Sequence, residues 1–583
     1  MPIAAFRLRL LAPAVPLLVA ACSGVGDAAP EHRGEGATGE VGGTLVLVVG
    51  AEPNTFFSPR VGGIVGKQVS DLVYERLADI GPGLNVVGDE GFEPRLARSW
   101  AWSDDSLSIT FELDPEARWH DGRPVRSDDV RFTFEVNRDP AVASMSLGNV
   151  QLIDSVTTPD SLHATFWFRE RSPEQFYDAA GRLAILPEHL LGDVPRAALP
   201  THELTRTPVG SGPFRFVRHV PGSLVELAAD PDHHLGRPLL DRVILTVAST
   251  PATAVTQLLA GDADMYEALQ PSDMPQLARS ESVVAHLGPG HQYSFAAFNT
   301  RDRRDASRAH PILGDREVRR ALTMLVDRET LVRSVWDSLA VVGIGPFPRT
   351  LPTADTTLRE IPHDPARGRA ILDSLGWRDR DGDGVRERDG QPLTLSVLVP
   401  TSSPMRQRIA VILQDQLRDD GVRVSVEALE FNAFVERMGR RDFDLTLATW
   451  VLVDGSPSGA RNTWGSLGAT ERSGQNFGRW VNPVFDTHVD SGLASFDHGE
   501  RRRHFSSAYQ TAIDDAPAVW LYEARNAFGI HRRFRTPPIR SANWWLDLHR
   551  WWIPAGERIE RDRAGLPGIA AVPSPPVATP AAR

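Results

Sequence analysis

Residues 393–450 run LTLSVLVPTSSPMRQRIAVILQDQLRDDGVRVSVEALEFNAFVERMGRRDFDLTLATW, and their apolar residues switch between a period of two and one of 3.6. Leu393, Leu395, Val397 and Val399 alternate as in a strand. Ser403 and Pro404 then offer an N-cap and a first-turn proline. Met405, Ile409, Ile412, Leu413 and Leu417 share one face of the helix that follows, and Gly421 stands where such a helix ends. Val422, Val424, Val426 and Ala428 alternate again, residues 431–439 have helical spacing, and Phe443, Leu445 and Leu447 open a third strand. The pattern is β-α-β-α-β. Parallel strands joined by right-handed helical crossovers make an open α/β sheet covered on both faces. Ligands of such sheets sit beyond the carboxyl ends of the strands. The loop after Trp450, Val451-Leu452-Val453-Asp454-Gly455-Ser456-Pro457, carries one carboxylate at such a place.

At 583 residues the chain exceeds what one hydrophobic core serves, so two or three lobes are expected. Hydrophobic residues at 41% and charged residues at 24% are the values of a soluble globular chain. A net charge of -12, with Lys67 the only lysine, leaves no basic stripe to offset phosphate repulsion and argues against a nucleic-acid partner. The single cysteine, Cys22, rules out an internal disulfide and a cysteine-based metal cluster. Arg7 and Arg9 precede an apolar run over residues 10–21, the layout of a signal peptide spanning 1–21 and too short for a stable membrane anchor. The run closes on Val19-Ala20-Ala21-Cys22, which resembles the bacterial lipobox and makes Cys22 the expected lipid-bearing residue; an ordinary secretory cut after Ala21 is the competing reading. Residues 22–42, rich in Gly, Ala and acidic side chains, read as a flexible tether, and 556–583 as a disordered tail. No glycine-framed nucleophile, His-Glu-x-x-His or phosphate-binding loop is present, so no catalytic residue and no cofactor is expected.

Further periodic segments flank the central stretch. Residues 43–49, 214–216, 225–227 and 243–245 alternate, 68–77 and 253–260 have helical spacing, and 108–136 holds strand-like alternation around the turn Trp119-His120-Asp121-Gly122. Short motifs follow one another in order: Ala51-Glu52-Pro53, Leu72-Val73-Tyr74-Glu75, Pro94-Arg95-Leu96-Ala97, Trp119 to Val125, Pro208-Val209-Gly210-Ser211-Gly212, Phe298-Asn299-Thr300, Asp364-Pro365 and Asp515-Ala516-Pro517. Each is weak alone. As an ordered series over residues 43–554 they resemble the extracellular solute-binding protein family 5, the oligopeptide- and dipeptide-binding proteins of ABC importers.

The resemblance implies an α/β, two-lobed clamp of the periplasmic-binding-protein type II kind with an extra subdomain. Lobe I is expected at 43–90, 205–290 and 525–555, the extra subdomain at 91–204, and lobe II at 291–524. It also implies a monomeric lipoprotein, anchored on the periplasmic or extracellular side of a membrane, that binds a peptide or similar small solute between its lobes and delivers it to an ABC permease. Competing readings are a sensory or chaperone-like lipoprotein without transport, or the same scaffold carrying a nickel chelate, haem or an oligosaccharide.

By the same resemblance, Asp454 is the carboxylate that pairs with a peptide's amino terminus, and Trp450 and Trp464 are cleft-wall aromatics. Glu52, Asn54, Ser211, Gly212, Tyr293 and Asn299 occupy positions that line the cleft in that family. Each has a plainer reading as turn or core chemistry. Read from the residues themselves, Asp379, Asp381, Asp383, Val385 and Glu387 have the spacing of the first nine positions of an EF-hand loop. Gly390 stands where the bidentate glutamate belongs, which favours a solvated acidic turn over a calcium site. His233-His234 suggests a metal site, but packing is the favoured reading.

Overall fold

A computed structural model describes residues 39–452, 455–471 and 474–567, so Cys22, Asp454 and the end of the chain lie outside the described residues. Among the described residues, strand pairing gives sheets of seven, six and four strands and two short pairs. The seven-stranded sheet runs, edge to edge, Val283–Gly288, Asn526–His531, Met265–Tyr266, Thr44–Val49, Arg242–Val247, Leu224–Ala229 and Phe214–Val220. The six-stranded sheet runs Ala340–Val342, Ala518–Ala524, Gln292–Phe298, Leu445–Val451, Thr394–Pro400 and Arg423–Leu429. The four-stranded sheet, Ala97–Trp102, Ser108–Leu113, His163–Phe168 and Ile153–Thr157, is inserted between strands of the first.

The β-α-β-α-β reading matches the structure. Thr394–Pro400 pairs in parallel with both Arg423–Leu429 and Leu445–Val451. The intervening helices are Pro404–Arg418 and Phe431–Gly439. Ser403 Oγ accepts from the Arg406 N–H as the N-cap, and Gly421 takes a positive φ of 80° in the turn after the helix. Leu395 through Pro400 are all buried, as expected of a strand covered on both faces.

Two local readings are corrected. Phe132, Phe134 and Val136 alternate in sequence but lie on helix Ser127–Arg138, buried on several faces at once. The Asp129 carboxylate starts that helix by accepting the Arg126 N–H at 2.8 Å, and the Trp119 indole also donates to it at 3.1 Å. The helix expected over 68–77 spans Ile64–Val73, because Tyr74 is extended and the Gly212 N–H takes the carbonyl of Val73.

The inserted sheet has no core of its own. Leu45, Leu47 and Phe214 of the large sheet belong to one apolar cluster with Phe111, Phe166 and Phe176. The six-stranded sheet packs separate clusters on its two faces. The expected tether and tail boundaries also move. The Gly42 N–H donates to the Leu239 carbonyl, and Asp562, buried, accepts the Thr44 N–H at 3.0 Å. Arg533 and Arg561 pair with the buried Asp264, so 556–567 is held by charges that need partners once buried. No helix among the described residues is long and apolar enough to cross a membrane.

The chain passes between the large sheets twice, at 289–291 and at Arg525. The two passages touch: a Cβ on Gly290 would stand 2.0 Å from the Ala524 carbonyl oxygen, so only glycine fits. Beside them Glu523 is buried, accepting the Arg349 N–H at 2.7 Å. Burial pushes its carboxyl up from 4.5 to about 7, against the opposing pull of Arg349. A carboxyl raised on folding binds its proton more tightly in the folded chain, so the stability it contributes is full below about 4.5 and is lost as pH rises to about 7. Chemical denaturation across this range should show a decline, on the order of 3 kcal/mol at most, that Glu523→Gln removes. Equal slopes in the two proteins would refute the shifted carboxyl.

Candidate functional site

A cavity of about 480 Å³ opens between the helix after the first strand, the inserted segment and a strand end of the six-stranded sheet, within the size range of small-ligand sites. Its walls are the start of helix Ile64–Val73, the turn at Met145 and Ser146, residues 182–184, and Val451 at the carboxyl end of strand Leu445–Val451. That is the strand end at which an α/β sheet presents ligands. Ile64, Met145 and Val451 are 45%, 68% and 59% exposed, large apolar side chains left uncovered along one cavity.

The polar side of the cavity is cationic. Gly62, Gly63 and Ile64 bring a helix N-terminus to the wall, and no side chain caps it. One turn on, the Lys67 ammonium is 2.9 Å from Asp71 Oδ2, while Arg76 bonds the other oxygen of the same carboxylate. The Trp545 indole N–H also donates to Asp71 Oδ2 at 2.9 Å. Burial would raise the Asp71 carboxyl, but the charges of Arg76 and Lys67 prevail and hold it down at about 2. Arg76 also faces Asp79 at 3.6 Å, and Arg182 is held by Asp178 at 2.7 Å and Glu174 at 3.4 Å. Lys67, sharing one carboxylate with an arginine and about a third exposed, is the cation best placed to take a ligand's negative group.

Beside the cavity the inserted segment and the six-stranded lobe are joined. Glu174, buried, bonds Arg501 through one oxygen and the Ser456 hydroxyl through the other at 2.7 Å. Next to Ser456, Gly455 lies so close to Leu84 that a Cβ there would meet the Leu84 carbonyl oxygen at 2.7 Å. The Arg171 guanidinium sits 5.0 Å over the Phe496 ring. The two partners of each contact lie far apart in sequence, so no local spacing announced them.

The sequence-predicted residues divide. Trp450 is half-buried beside Val451 and stacks on Phe477 with the rings 6.0 Å apart. Asn54 braces the cavity edge, its amide donating to the Arg60 carbonyl at 3.2 Å and accepting the Gly62 N–H. Glu52 is turned to the Gly222 N–H. Tyr293, Asn299 and Trp464 are buried, and their polar atoms bond within the protein: the Trp464 indole donates to the Tyr293 hydroxyl at 2.8 Å, and the Asn299 amide donates to the Arg441 and Phe443 carbonyls at 2.9 Å each. Each of the three thus has a polar partner inside the protein. Ser211 is buried and Gly212 is closely packed. A Cβ at Gly212 would meet the Leu72 carbonyl oxygen at 2.6 Å, and the His120 ring bonds the Gly212 carbonyl at 2.9 Å, so this segment is wedged between a helix end and a turn.

In the acidic loop, oxygens of Asp379, Asp381 and Glu387 come within 4.8 Å of one another. Asp383 instead faces Arg423 at 3.1 Å, and the Val385 side chain is buried. Asp379 accepts the N–H groups of Gly382 and Gly384, and Glu387 that of Arg380, so the turn is closed by its own backbone. Asp454 lies outside the described residues, three positions beyond the cavity-lining Val451.

The model of the bacterial extracellular solute-binding proteins, family 5 (middle), matches residues 91–471. Oligopeptide-binding protein AppA of Bacillus subtilis is 25% identical over 544 residues, covering 92% of this chain and 96% of that protein. Di/tripeptide-binding protein 4 of Pseudomonas aeruginosa is 28% identical over 498 residues, covering 82% and 89%. The structure of Bacillus subtilis AppA in complex with a nonapeptide aligns with a TM-score of 0.74 over 88% of this chain and 99% of that one, at 25% identity.

Glu174 ties the lobes through contacts that separation of the lobes would break. Glu174→Gln removes the charge that faces Arg501 and leaves that buried guanidinium without its carboxylate, while Arg182 keeps Asp178. Small-angle scattering of the ligand-free variant should give a larger radius of gyration than wild type; identical curves would show that the contact does not hold the lobes together.

Proposed function

The chain belongs to the bacterial extracellular solute-binding proteins of family 5, and from that membership we propose that it captures a peptide in the cavity between its lobes and passes it to an ABC permease. The observation that carries this reading is the pairing, in one cavity, of a part-exposed ammonium and an uncapped helix N-terminus with uncovered apolar side chains. A peptide supplies the complement: a carboxylate for Lys67 and the helix end, apolar side chains for Ile64, Met145 and Val451, and an amino terminus for Asp454. These two relatives, which bear peptide-binding names, cover 92% and 82% of this chain, which supports the same cargo class. In this reading the protein performs no reaction. The closed lobes are the form the permease recognises, and bound ligand favours them by touching both sides.

Calorimetry with short peptides tests both ends. Asp454→Asn should cost free-amine peptides on the order of 2 to 5 kcal/mol and amino-terminally acetylated ones much less. Lys67→Met should weaken peptides with a free carboxyl terminus more than their amides. Equal affinities across the free-amine series for wild type and Asp454→Asn would remove that residue from the site.

The lipid anchor is part of the same proposal, with Cys22 as the modified residue. Cys22→Ala should release the chain from the membrane fraction or leave it unprocessed, with peptide binding by the purified protein unchanged. Persistent membrane fractionation of the variant would exclude Cys22.

A further inference from the structure

Behind the ligand cavity, across the side chains of Asp71 and Arg76 that border both spaces, lies a void of about 30 Å³, room for one or two waters. Glu75 and His233 line it. Glu75 follows helix Ile64–Val73, while His233 and His234 come from the turn after strand Leu224–Ala229. Their side chains are 4%, 6% and 1% exposed. His233 Nε2 lies 3.2 Å from Glu75 Oε1, and His234 Nε2 lies 3.1 Å from Oε2 and 3.3 Å from Oε1. The other nitrogen of His234, Nδ1, is 2.9 Å from Asp114 Oδ2, at the end of strand Ser108–Leu113 in the inserted sheet.

The tautomer follows from that last contact. Asp114 accepts from Nδ1–H, which leaves His234 Nε2 with a lone pair aimed at the Glu75 carboxylate. Two electron-pair donors facing each other need something positive between them, either a second proton on His234 or a cation. Three features favour a cation. Two imidazole nitrogens and one carboxylate are the donor set of three-ligand zinc sites. A carboxylate on the far nitrogen of a ligating histidine is the usual outer partner that orients it. The histidine-to-Glu75 separations of 3.1–3.3 Å are close to ~3.3 Å, the edge of a tetrahedron whose metal–ligand bonds are about 2.0–2.1 Å, and all three ligand atoms lie within 4.8 Å of one another. A divalent ion would also balance the enclosed Glu75 carboxylate and the part-buried Asp114, which neutral histidines cannot. The void supplies a fourth position, open to a water.

We propose that Glu75, His233 and His234 bind a zinc-class divalent cation, with Asp114 as its outer carboxylate, and that the ion pins the inserted sheet to the large sheet beneath the ligand cavity. The site is separate from the acidic loop at 379–387 and from the peptide cavity.

The test begins with chelator-stripped wild-type protein titrated with zinc chloride. One ion per chain should bind with micromolar or tighter affinity and raise the melting temperature. Cobalt(II) in its place should give the intense visible bands of a four-coordinate site, a readout that needs no variant. His234→Gln and Glu75→Gln should abolish stoichiometric binding, checked on protein whose circular dichroism and peptide binding match wild type. Asp114→Asn should lower zinc affinity by about 10- to 100-fold while keeping the stoichiometry. Asp381→Asn should change nothing. Absence of saturable zinc binding by wild type, six-coordinate cobalt spectra, or zinc binding unaffected by His234→Gln would each overturn the proposal and leave a proton on His234 as the bridging charge.

Discussion

Asp71 accepts hydrogen bonds from three groups that reach it from three places: Lys67 a helical turn earlier, Arg76 just beyond the helix, and the Trp545 indole from the returning end of the chain. Its side chain is almost wholly enclosed. A buried carboxylate deprived of its partners costs several kcal/mol, so once the helix packs, the cations and the C-terminal return must come to it. The position of Lys67 on the cavity wall follows from this. So does the course of the charges behind it, where Arg76 passes on to Asp79 and Asp79 to Arg95 at 2.7 Å. One enclosed negative charge thus fixes a cavity wall, a turn and the closure of a sheet that draws strands from both ends of the chain.

The contacts between lobes fall into two kinds. At Gly290 and Ala524 the two passages press backbone against backbone, and a rotation about them leaves the contact in place. Around Glu174 the contacts with Arg501 and Ser456 exist only while the lobes meet. A buried ion pair gains little net free energy, because the attraction between its charges is offset by their desolvation. Such a contact gives closure a defined geometry without making it strongly favourable, and the balance is left for a ligand that touches both walls to tip.

The parallel β-α-β-α-β run was legible because its apolar periods, caps and Gly421 all agree, and agreement between levels is what makes a local pattern reliable. Phe132, Phe134 and Val136 misled for the opposite reason: a helix buried on several sides can carry apolar residues at every second position, and the deciding signal was the carboxylate of Asp129 set to cap it. Tyr293, Trp464 and Asn299 show the limit at the site. Residue type says that an indole or an amide needs a partner when enclosed; it does not say whether that partner is a ligand or another side chain of the protein. Here Trp464 and Tyr293 supply each other's partner. Glu174 and Arg501, 327 positions apart, carry no sequence signal at all, since their meeting depends on how two lobes face one another.

Lys67 is the one lysine among 63 basic residues, and its chemistry suits the place. A guanidinium there would compete with Arg76 for both oxygens of Asp71, because its planar fork matches a carboxylate in a two-pronged fit. An ammonium is a compact charge with three donors on a flexible stem. It can give one N–H to Asp71 and turn the others toward the cavity, which about one third exposure of the side chain permits. The wall is therefore adaptable at Lys67, while the arginines around it, each held by carboxylates, keep the surrounding scaffold in place.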